Sequence, residues 1–237
     1  MGMPPHGWRA RYGFACAYLA CFAVTDLVYV LLTPAAQDTM AAWASTSVAN
    51  LEHEPVIPLV LSALFAPGIF GGWLVPIAVA VIGANRALGS ARTALVCVAG
   101  QVIGTAVSEG IVAYRVDAGQ LPVADRYLID IGPSYVVVAA IVVAIVFGGW
   151  RTRLLAAIEF VALIFVADLF GGLSQLDVAA VGHLTSIITA LVITTTMLAA
   201  RRRAEGRRTM ASAGRVPDAQ PDEIGDGRGP GPEYELP

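Results

Sequence analysis

The sequence contains no lysine: all 15 of its basic residues are arginine, and only 14% of its 237 residues are charged. So little charge excludes an ordinary water-soluble globule, whose surface needs far more. Cysteine and histidine are also scarce, at three each. Cys16, Cys21 and Cys97 fall inside apolar runs and read as buried thiols. With no Cys or His cluster at ligand spacing, neither a disulfide framework nor a metal site is expected. No Walker loop occurs, and no Gly-x-Gly-x-x-Gly precedes a helix, so a nucleotide cofactor is not expected either. Nucleic acid is likewise not expected as a partner, since no motif for it appears.

Apolar residues are abundant, at 57% of the chain. They gather into six segments, Tyr12–Leu32, Phe70–Gly83, Thr93–Ala113, Pro133–Phe147, Leu154–Phe170 and Val178–Ala199. This pattern predicts an all-α protein, a six-helix transmembrane bundle in the lipid bilayer. Before the second segment Val56–Phe65 is also apolar. Pro67, Gly68, Gly71 and Gly72 break that stretch into a partly inserted piece and a spanning helix. Arg9 and Arg11, Arg86 and Arg92, Arg151 and Arg153, and Arg201–Arg203 flank alternate loops. The positive-inside rule then places both termini in the cytoplasm of a multi-pass plasma-membrane protein. Residues 1–11 form a retained cytoplasmic N-terminus, residues 12–199 the membrane domain, and residues 200–237 a tail. That tail is rich in Gly, Pro, Asp and Glu, a composition that predicts disorder. In the outer loop Thr33–Pro55, Met40–Trp43 is expected to lie flat on the interface.

The stretch Asp130-Ile131-Gly132-Pro133-Ser134-Tyr135 opens the fourth segment. Pro133 suits a helix start, because its missing N–H would go unpaired there. From Pro133 to the Gly148-Gly149 stop lie only about 16 residues, against the roughly 20 that span a bilayer. Ser134 is therefore expected below the outer surface, beside backbone that is covered by protein or faces water. The sixth segment enters from the same side and carries His183 at a depth of about 8 Å. Ser186 and Ala190 follow at i+3 and i+7, a flat stripe that lets another helix come close. A recessed serine near an imidazole has the ingredients of a nucleophile and its general base. Read plainly, the same residues are a helix-start serine and a packed histidine.

With Gly132-Pro133-Ser134-Tyr135, His183-x-x-Ser186-x-x-x-Ala190, and the turn Ala87-Leu88-Gly89-Ser90-Ala91-Arg92, the chain resembles the rhomboid family of intramembrane serine proteases. The resemblance covers roughly Ala44 to Ala199. It implies a rhomboid-type bundle in which Ser134 attacks the scissile carbonyl of a transmembrane substrate and His183 serves as general base, then as general acid. The backbone N–H of Ser134 would help hold the oxyanion. The chain departs from the family pattern in three places. Phe70–Leu74 offers no His or Asn for the oxyanion, Tyr135 replaces the glycine after the nucleophile, and the first loop lacks a Trp-Arg pair. A rhomboid-like protein that binds transmembrane helices as clients without cutting them is therefore the alternative. Asp26, Glu109, Glu159 and Asp168 fall in apolar segments, where an acid is costly. Asp26, Glu109 and Asp168 are candidate polar groups of a cavity over Ser134. Acids in such positions would also suit a small transporter.

Overall fold

The computed structural model describes residues 5–68 and 70–213, and among these all regular structure is helical. The chain divides into two units, Met1–Leu198 and Ala199–Pro237. The elements are α1 (Pro5–Leu31), α2 (Pro34–Ala44), α3 (Val48–His53), α4 (Val56–Leu61), α5 (Leu74–Leu88), α6 (Ser90–Asp117), α7 (Ser134–Phe147), α8 (Trp150–Val166) and α9 (Val178–Ala213). Stretches of α1, α6 and α9 are long and apolar enough to cross a membrane, while α5 and α7 are shorter apolar helices. α9 continues to Ala213, so residues 200–213, expected in the tail, are helical. Alanine and arginine, which dominate that stretch, are strong helix formers. The rest of the expected disordered tail lies outside the described residues.

Helix α7 is the hub. Every residue from Tyr135 to Ala144 is buried, and α6 and α8 pack along it. Without water to squeeze out, helices in a bilayer associate where small residues let their backbones meet. Here those residues are Gly100 and Gly104 of α6. A Cβ on Gly100 would lie 2.8 Å from that of Ala139 on α7. One on Gly104 would strike Ser186 Oγ of α9. The Ser186 hydroxyl instead donates to the Gly100 carbonyl at 2.8 Å. Large apolar side chains point outward, among them Val24, Leu31, Leu95, Leu154, Phe165 and Val192. That arrangement suits a lipid surround.

The second apolar segment is offset from its expected position. α5 starts at Leu74 rather than Phe70, because Pro67, Gly68, Gly71 and Gly72 hold the chain in a loop; Gly68 and Gly71 have positive φ. Asp26 fastens that loop to α1, accepting from the backbone N–H of Gly71 at 3.0 Å and of Ala66 at 3.4 Å. Within α5, Ala78–Ile82 winds as a π-helix. At the end of α5, Gly89 takes φ 82°, and Ser90 Oγ accepts from the Phe14 N–H of α1 at 3.2 Å. This joins the turn between α5 and α6 to the start of the first span.

Candidate functional site

The loop that delivers Ser134 is pinned by serines and threonines far off in sequence. Ser45 Oγ accepts from Asp130 N–H at 2.9 Å, the Thr46 N–H donates to the Asp130 carbonyl at 3.1 Å, and Gly132 N–H donates to the Ser62 carbonyl at 2.8 Å. Gly132 has φ 144°, which favours glycine. Pro133 then caps α7 and Ser134 is its first residue. Ser134 borders a tight crevice shared with Thr46, Ser62, Gln101 and Asp130. Among the described residues its hydroxyl makes no hydrogen bond.

Tyr135, the next residue, lines the same crevice and extends beyond it. Its ring meets His183 edge to face, with centroids 5.3 Å apart and planes at 84°, a favourable aromatic arrangement. Its hydroxyl reaches Asp130 Oδ2 at 2.9 Å and the Val178 carbonyl at 3.2 Å. A Cβ on Gly182 would collide with that phenol. Only a glycine there lets α9 close on α7.

His183 Nδ1 lies 2.7 Å from the Leu169 carbonyl. A carbonyl can only accept, so Nδ1 carries the proton and Nε2 of the neutral ring holds the lone pair. Nε2 is the atom a general base would use. It is buried and has no hydrogen-bond partner. No hydrogen bond joins it to Ser134: the side chain that α7 presents to the imidazole is Tyr135.

The four acids sit apart. Asp26 is buried and committed to the Ala66–Gly71 loop. Glu109 is 3% exposed, and both its oxygens lack partners. Asp168 is exposed, at φ 48° in the turn after α8. Glu159 lies on α8 in a groove of about 450 Å³ bordered by Pro67, Trp73 and Pro76, and its carboxylate oxygens are buried and unpartnered. Asp130 gathers the outer polar groups, accepting from both Tyr135 and Thr46 on Oδ2. Burial pushes its carboxyl above the ordinary 3.8; these two hydrogen bonds oppose the shift, and Asp177 adds to it. The sequence reading gave Asp130 no role, although it opens the stretch that contains Ser134. Thr46 and Ser62 carried no sequence signal at all.

Among the described residues, an all-helical bundle with three helices long and apolar enough to cross a membrane and large apolar side chains facing outward defines a multi-pass membrane protein. The family model described as rhomboid-like protein matches residues 10–204, and the chain belongs to that family. No curated protein and no solved structure matches it.

Proposed function

We propose that this chain is a non-catalytic rhomboid-like protein that binds the transmembrane helices of other proteins in the plasma membrane, through six spans with both termini cytoplasmic. One observation carries this reading: the ring of Tyr135 packs against His183, and no hydrogen bond joins Ser134 to the imidazole Nε2. A general base must come within about 2.6–3.2 Å of the proton it removes. Here the Tyr135 phenol lies against the ring, and the serine makes no hydrogen bond to it. The lack of a His or Asn along Phe70–Leu74 points the same way, since losing one oxyanion donor typically costs about 10²–10³ in rate.

The client helix would lie in the groove between α5 and α8. Its walls are mostly apolar, with proline and tryptophan on one side and Leu163 and Ala167 on the other. The scattered acids favour helix binding over transport. Asp26 is engaged with backbone, Glu109 and Glu159 are on different helices, and Asp168 is exposed, so no line of acids runs through the bundle.

Fluorophosphonate labelling of the purified protein tests the reading. No Ser134-dependent adduct is expected. Labelling of the wild type that vanishes in Ser134→Ala would overturn the proposal and restore a Ser134–His183 protease. A photo-crosslinker at Ala162 is expected to capture a single-span helix, and one at Leu95 on the outside of α6 is not.

A further inference from the structure

Where the ends of four helices converge, a pocket of about 360 Å³ is lined by Arg11 of α1, Arg86 of α5, and Trp150 and Arg151 of α8, with Phe147 ending α7 beside them. Among the described residues none of these three arginines forms a salt bridge. Three like charges brought together without an acid repel one another, and an anion would relieve that repulsion. Guanidinium groups match phosphate in particular, offering paired N–H donors to its oxygens.

A second cavity identifies the kind of anion. A slot of about 260 Å³ between α5 and α8 shares Arg86 and Thr152 with the arginine pocket and is otherwise apolar, lined by Ala78, Val79, Ile82, Gly83 and Leu155. The π-helical turn Ala78–Ile82 forms most of one wall. Trp150 is 70% exposed at the head of α8, and Leu154 and Leu155 one turn on are also exposed. Tryptophan at the end of an apolar helix is the usual marker of headgroup depth. A polar pocket that continues into an apolar slot fits an amphiphile, whereas a free anion would use only the upper half. We propose that this compound cavity holds an anionic phospholipid, its phosphate among Arg11, Arg86 and Arg151 and an acyl chain along the slot. Basic pockets between helices at a membrane face recognise such headgroups.

Native mass spectrometry of the full-length protein, delipidated and exposed to equal amounts of phosphatidylglycerol and phosphatidylcholine, tests this. Retention of phosphatidylglycerol is expected to exceed that of phosphatidylcholine. The double variant Arg86→Gln/Arg151→Gln should weaken it about thirtyfold, roughly fivefold per arginine near a membrane surface. Arg86→Lys/Arg151→Lys should recover much of the binding, which separates lost charge from lost fold. Arg115→Gln, whose guanidinium meets the Gln175 carbonyl instead, should change nothing. Val79→Trp, which fills the slot, should reduce lipid retention while leaving any weak binding of inorganic phosphate intact. The proposal falls if the double variant retains the lipid as well as wild type does, or if Arg115→Gln weakens it equally. It falls too if inorganic phosphate alone gives the same thermal stabilisation as the lipid.

Discussion

Tyr135 and Asp130 decide what the outer layer can do, and each makes a prediction of its own. An acid whose folded-state pKa is raised stabilises the fold fully below its unfolded value and loses that contribution as pH climbs through the folded value. Asp130 is such an acid, raised by burial from 3.8. Wild-type melting temperature is therefore expected to lose a component as pH rises from about 4 toward neutral. Asp130→Asn keeps an acceptor for Tyr135 and Thr46 but has no charge to bury. Its melting curve in detergent, followed from pH 4 to 8, should lack that component; identical pH profiles would show that Asp130 ionises at no cost. Gly182→Ala makes a second test. Its methyl group meets the Tyr135 phenol, and overpacking of this kind costs about 1–3 kcal/mol. Adding Tyr135→Ala should return most of the loss in a double-mutant cycle, whereas additive losses would deny the contact.

Among the elements, α6 is the test of close packing. Gly100→Ala and Gly104→Ala push against Ala139 and Ser186, and each is expected to destabilise by about 1–3 kcal/mol. Gly110, on the same helix, has nothing near its missing Cβ. Gly110→Ala should instead stabilise by up to about 1 kcal/mol, through helix propensity alone. Thermal melts of the three variants read the contrast, and a uniform response would mean that α6 is not held by its small residues. The apolar runs made these helices legible: Thr93–Ala113 lies inside α6, and Pro133–Phe147 is α7 within one residue. Position along a helix follows from counting residues. Rotation about the axis does not. α7 is apolar on every side from Val136 to Phe147, so no polar face revealed that Tyr135 would pack against His183 of α9.

For the whole molecule, the proposed six-span topology predicts which surfaces water-soluble reagents reach. In a background without native cysteines, a cysteine at Asp125 should react with a membrane-impermeant maleimide in intact cells. One at Arg92 should react only after permeabilisation, and the reverse pattern would invert the protein. At this level the sequence speaks through its arginines, and the labelling tests that reading. The sequence could not carry the contacts that pin the outer loops, because Ser45 and Thr46 meet residues 128–130 from more than 80 positions away. Hydroxyls that pair across such distances leave no periodic trace. The exposed ion pairs of Arg126 with Glu52 at 2.7 Å and Asp117 at 2.6 Å add to that cap.

The wide turn in α5 has a geometric corollary. A π turn accommodates one more residue than an α-helical turn would, so deleting a single residue within Ala78–Ile82 would let the helix rewind evenly. Because the extra residue is confined to that one turn, the segments before and after it would keep their facing. Trp73 and Pro76 would stay in the α5–α8 groove, and Arg86 in the arginine pocket. What one missing amino acid would alter is the stretch between them, Ala78–Ile82, which walls the slot proposed for the acyl chain.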